Sequence, residues 1–179
     1  MRIVKPRWTL ALILALLVHG GCGYSLAGRG SFLPPYIKRI GVPIFTNQTP
    51  VFDLDRQVTE RVRGEFIGRG KYTITTDATG VDALLTGVIT SVTLTPVAFN
   101  TSQQATRYAL TMTVSAEFKD MRANKVLWTN PSMQYREEFT LDPQTAADTT
   151  TFLAQDANAR ERMANELARA LVSAILEAF

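Results

Sequence analysis

Cys22 is the only cysteine of this 179-residue chain, and His19 is the only histidine. Both lie at the downstream end of an apolar run, in the sequence HGGCG. A thiol that acts as a nucleophile or metal ligand works with a histidine or with further cysteines. No second cysteine is present, so the chemistry that its position suggests is modification of the Cys22 sulfur itself.

The residues before Cys22 have the order of a bacterial export signal. Arg2, Lys5 and Arg7 precede an apolar stretch at 8–18, and two glycines lie directly before the cysteine. The stretch has eleven residues, whereas a membrane-spanning helix needs about 20. We therefore predict a cleaved signal peptide over residues 1–21.

Small residues before a cysteine resemble the lipobox of bacterial lipoproteins, in which the signal is cut before the cysteine and the sulfur receives a diacylglyceryl group. The resemblance implies that Cys22 is lipidated and becomes the first mature residue. His19 departs from the pattern, because the lipobox usually carries an apolar residue three positions before the cysteine. Gly23 is not acidic, so the resemblance implies an outer-membrane location facing the periplasm. The alternative is an ordinary secretory signal followed by a chance thiol.

Loss of residues 1–21 changes the charge balance. The mature chain of 158 residues has sixteen Lys and Arg and sixteen Asp and Glu, so its formal net charge is zero. Nucleic-acid binding proteins depend on a clustered basic surface, which this balance does not predict. With His19 removed and Cys22 acylated, histidine triads, Cys–His pairs and His or Cys zinc sites are excluded. No cofactor, metal or catalytic site is predicted.

Paired carboxylates are the remaining route to hydrolysis, as in glycosidases. Glu137 and Glu138 are adjacent in a predicted strand, so their side chains would point to opposite faces. Asp53 and Asp55 would lie about 200° apart on a predicted helix. Neither pair converges, and we expect no enzymatic activity.

Two segments of the mature chain have the periodicity of amphipathic helices. The first spans 50–67, with Thr49 as N-cap and Pro50 as first helical residue. Its apolar stripe contains Val51, Leu54, Val58, Val62 and Phe66. Arg56, Glu60 and Arg63 are expected away from this stripe. The second helix follows a loop at 141–150, and its stripe contains Met163, Leu167, Leu171, Val172, Ile175 and Leu176.

Strands are predicted at 37–43, 71–76, 82–95 and 108–119, with a further strand from 125 to 140 that Asn130 and Pro131 interrupt as a bulge or edge break. The strand at 108–119 alternates most regularly, and its apolar set is Tyr108, Leu110, Met112, Val114, Ala116 and Phe118. At 82–95 the predicted buried set is Leu84, Val88, Val92 and Leu94, although Leu85 and Ile89 break the alternation.

These elements predict an α+β fold, a two-layer sandwich in which two amphipathic helices pack on one face of a four- to five-stranded, mostly antiparallel sheet. Residues 22–36 are rich in Gly, Ser and Pro and are predicted to be a lipidated, flexible tether. Residues 37–179 form a single predicted domain. The second sheet face is rich in Thr, Ser and Gly, and it is either simply solvated or placed against a partner wall or glycan.

Five stretches, in this order and spacing, resemble the lipopolysaccharide-assembly outer-membrane lipoprotein family, the LptE-like proteins. They are CGYSLAG at 22–28, IKRIGVPIFTNQT at 37–49, RGKYTIT at 69–75, VDALLTGVIT at 81–90 and KVLW at 125–128. The resemblance implies a plug and assembly factor inside an outer-membrane β-barrel translocon, with lipopolysaccharide as a further possible ligand.

Lipopolysaccharide carries phosphates, which basic side chains contact through charge-assisted hydrogen bonds. The candidate contacts to lipopolysaccharide or the barrel are Arg107, Arg122, Lys125 and Arg136. Each of these is equally compatible with an ordinary surface cation. Trp128 alternates with polar residues and is expected to contribute to the core.

A second envelope role stays open on the residues alone. The stretch GVPIFTNQT at 41–49 also resembles the strand-to-loop opening of curli-secretion and peptidoglycan-synthase-activator lipoproteins. That resemblance implies a binding module of another assembly machine, either a secretion pore or a synthase activator. The partner distinguishes the two interpretations.

Overall fold

The computed structural model describes residues 33–69, 71–140 and 149–178. The predicted signal peptide, Cys22 and most of the predicted tether lie outside the described residues, as does the loop at 141–148. Within the described ranges, no helix is long and apolar enough to cross a membrane.

The described residues form six strands and three helices. In chain order they are β1 (Arg39–Gly41), β2 (Thr46–Asn47), α1 (Leu54–Gly68), β3 (Thr73–Thr75), β4 (Ala83–Phe99), β5 (Ala105–Asp120), β6 (Lys125–Thr140), α2 (Thr149–Gln155) and α3 (Ala157–Leu176). The prediction of an α+β fold is confirmed, but a third helix, α2, lies within the segment where we expected the loop to lead into the last helix.

The sheet is mixed rather than mostly antiparallel. Its strand order is β3-β1-β4-β5-β6, with β2 pairing with β4 beyond β1. The pairs β1–β3, β1–β4 and β2–β4 are parallel, whereas β4–β5 and β5–β6 are antiparallel. The parallel half arises because α1 is a crossover between the short strands, and a crossover returns the chain in the same direction. Sequence periodicity has no signature of pairing direction.

The long hairpins β4–β5 and β5–β6 form the antiparallel half, and β5 is the central strand between them. Its predicted alternation is confirmed: Leu110, Met112, Val114 and Phe118 are fully buried. Each lies in a cross-strand row, for example Val92–Met112–Tyr135. These rows contact the helices through one face only.

The buried residues of β4 differ from the predicted set. Ala83, Leu85 and Ile89 are buried, whereas Leu84 and Val88 are only partly covered. Thr90 is an extra residue between the pairs Ile89–Val114 and Ser91–Thr113. This bulge reverses the parity of the strand, so that Val92 and Leu94 do pack against the core. The predicted set was wrong before the bulge and correct after it.

The interruption predicted in β6 is confirmed as a bulge. Val114 pairs with Met133 and Ala116 with Asn130, so Pro131 and Ser132 together oppose the single residue Ser115. β6 is the edge strand of the sheet, where a residue without an N–H removes no ladder hydrogen bond. A bulge and a proline on an edge also discourage pairing with further strands.

Helix α1 begins later than predicted. Its N-cap is Asp53, which has a positive φ of 62°, and not Thr49. Asn47 holds the preceding loop instead, by accepting hydrogen bonds from the Thr49 N–H and hydroxyl and donating one to the Val51 carbonyl. The predicted stripe is nevertheless buried, from Val51 through Phe66.

Arg63 was expected to point away from the apolar stripe, and it is nevertheless buried. Its Nε and Nη2 atoms donate to the Val42 carbonyl oxygen at 2.8 and 2.6 Å, and its Nη1 donates to Glu60 at 2.7 Å. A buried cation is tolerated because its donors are satisfied. Arg63 therefore fastens the middle of α1 to the chain leaving β1.

Helices α1 and α3 lie side by side in the same direction over the sheet. Arg61 in the middle of α1 donates to Glu161 near the start of α3, and Arg69 at the end of α1 donates to Ser173 near the end of α3. The stripe predicted for α3 is buried, from Met163 to Leu176. The helices cover one sheet face and leave the other without a described covering element.

The folded part reaches back further than residue 37. Leu33 is 2% exposed and belongs to the main apolar core, and the Ile37 N–H donates to the Pro34 carbonyl at 2.9 Å. Residues 33–36 of the predicted tether are thus built into the domain.

Candidate functional site

The uncovered sheet face is the candidate functional surface, which we call the open face. It contains the side chains of β4, β5 and β6 that alternate with the core positions. The central rows are Ser91–Thr113–Gln134, Thr93–Thr111–Arg136 and Thr95–Ala109–Glu138. Four of these nine residues are threonines and one is a serine, so most of the surface consists of short hydroxyl side chains.

Hydroxyl groups both donate and accept hydrogen bonds. Short β-branched side chains also lose little rotamer freedom when a partner covers them. Neighbouring hydroxyls such as those of Thr93 and Thr111 can therefore pair with either donors or acceptors on a partner surface, and little conformational entropy is lost when they do. The sequence-predicted hydroxyl-rich face exists as a continuous three-strand surface.

Arg107 and Arg136 lie together at one end of the open face. Arg107 is 3.5 Å and Arg136 is 3.6 Å from the Glu138 carboxylate. All three side chains are about half exposed, so solvent screens these ion pairs. Two guanidinium groups sharing one carboxylate leave an excess positive charge that an anionic ligand could engage.

Arg122 and Lys125 lie at the other end, in and after the β5–β6 turn. Arg122 donates from Nε to Asp82 at 2.9 Å and lies 5.6 Å from the centre of the Tyr36 ring. Fifteen residues of β-structure separate Arg107 from Arg122, which is a distance of roughly 50 Å. The four predicted contact residues therefore form two separate pairs and not one site.

Two carboxylates that the sequence did not single out organise the second end. Asp82 accepts hydrogen bonds from the backbone N–H groups of Arg39 at 2.9 Å and Lys38 at 3.0 Å. These amides, together with Arg122, lower the pKa of Asp82 to about 2. The cluster joins the entry of β1, the start of β4 and the β5–β6 turn.

Asp120 is the second of these carboxylates and is 1% exposed. Its oxygens accept hydrogen bonds from the Tyr36 hydroxyl and from the backbone N–H groups of Arg122 at 2.8 Å and Ala123 at 2.9 Å. Burial acts to raise the pKa of Asp120, but these hydrogen bonds outweigh it and the pKa is lowered. The two amides lie in the turn directly after Asp120, whereas Tyr36 lies 84 positions away, so only the tertiary structure shows that Asp120 joins these two segments.

Glu137 and Glu138 diverge, as expected from their adjacency. Glu137 faces the helices, where it accepts hydrogen bonds from Arg162 at 3.2 Å and from the Tyr135 hydroxyl at 3.3 Å. Glu138 faces the opposite side with the two arginines. Trp128 is partly buried and packs against the core beside Phe118. No group of acidic, His or Cys residues in the described ranges could hold a metal ion.

A shallow cleft of about 280 Å³ lies between the β2–α1 loop and the helices that follow β6. Its lining includes Val51, Phe52, Asp53, Thr150 and Arg160. Phe52 is 91% exposed, whereas Arg160 donates to the Leu153 carbonyl and closes the cleft floor. Nothing in its lining pairs a nucleophile with a base.

Solved structures with a similar fold come from several bacteria. A hypothetical protein from Chlamydia trachomatis is 11% identical, with a TM-score of 0.51 over 79% of this chain and 96% of that chain. A protein from Xanthomonas campestris is 13% identical, with a TM-score of 0.51 over 79% and 84%. Rare lipoprotein B from Shewanella oneidensis is 18% identical, with a TM-score of 0.48 over 78% and 98%.

Among curated protein sequences, none matches this chain significantly. The sequence model of one family, LptE, described as Lipopolysaccharide-assembly, matches residues 37–175. This range contains every strand and nearly all of the helices described above. The match covers well over half of the chain and includes both ends of the open face. The chain therefore belongs to the LptE family of lipopolysaccharide-assembly proteins.

Proposed function

We propose that this protein is a non-enzymatic outer-membrane lipoprotein subunit of the lipopolysaccharide transport machine. In this proposal Cys22 carries the lipid anchor on the periplasmic side of the outer membrane. The folded domain acts as plug and assembly factor of a β-barrel translocon. Family membership supports the assembly role. The observation that supports the plug role is the open face, a three-strand polar surface that no described element covers.

A barrel lumen is lined by polar side chains, and this is the chemistry that the open face matches. Thr93, Thr111 and Gln134 offer donors and acceptors without a strong charge of either sign. The row Ser91–Thr113–Gln134 contains no charged side chain, so this central part of the open face can be buried against a polar wall without leaving an unpaired ion, which would be costly. The helix side cannot take this role, because α1 and α3 present charged side chains such as Arg56 and Arg169 to solvent.

Lipopolysaccharide is a further proposed ligand, and Arg107 with Arg136 is the pair best placed to meet its phosphates. Both guanidinium groups are about half exposed and share only Glu138. A phosphate could replace this carboxylate as the ionic partner of both arginines and accept charge-assisted hydrogen bonds from them. Arg122 is less suited, because Asp82 already occupies two of its donors.

Photocrosslinking in cells tests the plug. A photoreactive residue at 93, 111 or 134 on the open face is expected to capture a large β-barrel protein. The matched controls are positions 56 and 169 on the exposed helix surfaces, where capture should be weak. Equal capture from both surfaces would contradict the orientation. Recovery of an inner-membrane synthase or a ring-shaped secretion pore in place of a barrel would instead support the alternative envelope role.

A further inference from the structure

All four lysines of the mature chain lie at one end of the sheet, which we call the lysine end. Lys38 precedes β1 and Lys71 precedes β3, while Lys119 and Lys125 flank the β5–β6 turn. The strand pairings Arg39–Thr73, Ile40–Ala83 and Ala83–Asp120 bring the four lysine positions to the same end of the strands. The sequence places them up to 87 positions apart, so only the strand pairing reveals the cluster.

The lysine charges are free of internal partners. None of the four has an ion pair with another described residue, although nine ion pairs join other described residues, one of them Arg122–Asp82 at this same end. Nearby Asp82 and Asp120 are already engaged by backbone N–H groups, Arg122 and Tyr36. Two further carboxylates lie at this end, Glu177 after the end of α3 and Glu117 two residues before Lys119 on β5, and neither forms an ion pair with a lysine among the described residues.

Apolar side chains are exposed among the lysines. Tyr36 is 40% exposed, Met121 is 39% exposed and Val126 is 42% exposed. Val126 pairs with Lys119, and Met121 begins the turn that leads to Lys125. Cations interleaved with modest apolar side chains suit the headgroup region of a bilayer, where both kinds of contact add to binding.

The chain enters the domain at this same end. Tyr36 donates to Asp120, and the backbone of Lys38 donates to Asp82. Eleven peptide units join Cys22 to Leu33, and fully extended they reach at most about 40 Å. β5 alone is roughly 50 Å long. The tether is therefore too short for the domain to stand upright with the far β4–β5 hairpin against the membrane and the lysine end away from it.

We propose that the lysine end docks on the anionic phospholipid surface of the leaflet that holds the anchor. This inference rests on the lipid anchor of the proposed function and adds a second, electrostatic attachment. A basic patch beside a lipid anchor adds an electrostatic contribution to membrane binding and can fix which end of the domain faces the bilayer. Docking keeps the lysine end at the membrane surface, where the tether enters the domain, and places the Arg107–Arg136 end furthest from the anchor.

Vesicle binding tests the patch without the acyl chains. The mature chain with Cys22→Ser is mixed with vesicles of phosphatidylethanolamine and phosphatidylglycerol, and sedimentation gives the bound fraction. The combined variant Lys119→Gln, Lys125→Gln and Met121→Ser is expected to bind roughly tenfold more weakly or worse. The matched control is Arg56→Gln, Arg169→Gln and Phe52→Ser, which removes two exposed cations and one exposed apolar side chain away from both ends of the open face and should bind as the parent does.

Three results would overturn the proposal. They are an equal loss in the two combined variants, unchanged binding in the lysine-end variant, and binding of the parent that does not weaken with salt. A parallel arm uses lipopolysaccharide aggregates. If the lysine-end variant loses only lipopolysaccharide binding, the patch serves the ligand and not the membrane, and the docking proposal fails.

Orientation is measured on the full acylated protein in proteoliposomes. A fluorophore is attached at Ala123→Cys in the β5–β6 turn or at Ser102→Cys in the far hairpin, and brominated lipids serve as quencher. Quenching at 123 and not at 102 is expected, whereas equal quenching contradicts docking. The barrel photocrosslinks are an independent readout, so failure of docking leaves the plug intact and failure of the plug leaves docking measurable.

Discussion

The guanidinium of Arg63 holds the Val42 carbonyl oxygen with two hydrogen bonds, at 2.8 and 2.6 Å. The two residues lie 21 positions apart, and their contact joins helix α1 to the chain between β1 and β2. The arginine side chain is about nine-tenths buried. This contact connects the helix layer to the short parallel strands, which have few residues of their own to hold them.

Replacement of Arg63 by Met is expected to lower the free energy of unfolding by about 2–3 kcal/mol, because the Val42 carbonyl loses a charged donor while remaining buried. Urea denaturation of the Cys22→Ser chain measures this value. The control is Arg61→Met, whose ion pair with Glu161 is about half exposed and should change stability by less than about 1 kcal/mol. Similar losses in both variants would contradict the role given to Arg63.

Gly87 permits Phe45 to lie across the sheet. A Cβ added at Gly87 would be 2.3 Å from the Phe45 ring, so Gly87→Ala must displace a buried aromatic side chain. We expect a loss of about 1–3 kcal/mol, measured by thermal or urea unfolding. In a chain that also carries Phe45→Leu, Gly87→Ala should lower the free energy of unfolding by less than it does in the parent.

Gly64 gives the opposite expectation for the same substitution. It lies on the exposed side of α1, and a Cβ there would meet no atom within 4 Å. Gly64→Ala should raise stability by about 0.5–1 kcal/mol, because alanine has the higher helix propensity. If both Gly64→Ala and Gly87→Ala lowered the free energy of unfolding, local packing would not decide whether the substitution stabilises or destabilises the chain.

The parity of β5 predicts a strong contrast between neighbours. Leu110→Asp places a charge among core side chains and should cost about 4 kcal/mol or more. Thr111→Asp lies on the open face and should cost about 1 kcal/mol or less. Circular dichroism during urea titration distinguishes the two, and equal effects would contradict the assigned faces.

Acid sensitivity follows from Asp82. Its pKa is about 2 in the folded chain and 3.8 in the reference state, so the folded state favours the ionised carboxylate. The stabilisation is fully present above pH 4 and disappears as pH falls through 2, and it amounts to about 2 kcal/mol. Asp82→Asn should therefore be less stable than the parent at pH 6, and the difference should shrink towards pH 2. A constant difference across this range would contradict the linkage.

Lipidation of Cys22 is tested by mass spectrometry of the protein from membranes. We expect acyl chains on Cys22 and none in Cys22→Ser, which should fold normally but leave the membrane fraction after a salt wash. An intact thiol on the native protein would overturn the anchor. Because the lysine end binds through charge, low salt can retain part of Cys22→Ser, and the wash removes that fraction.

Much of the fold could be predicted from periodicity. The alternation from Tyr108 to Phe118 assigns the core face of β5, and spacings of three and four assign the buried stripes of α1 and α3. These assignments were correct because each depends only on residues within one element. The hydroxyl-rich open face follows from the same alternation.

The candidate site was predicted only in part. Arg107 and Arg136 lie together, but Arg122 and Lys125 are at the opposite end. No sequence pattern indicated that Asp82 or Asp120 would organise that second end, since the donors to Asp82 and the Tyr36 donor to Asp120 lie 40 or more positions away in the chain.

The sequence by itself determined the approximate extents of the principal helices and strands, the buried faces of α1, α3 and β5, and the family to which the chain belongs. Tertiary structure alone decided the parallel half of the sheet, the bulge at Thr90, the burial of Arg63 and the gathering of four lysines at one edge. The physical reason is that side-chain periodicity is local, whereas strand pairing joins residues through backbone hydrogen bonds that carry no side-chain signature. Which charges become neighbours therefore depends on that pairing.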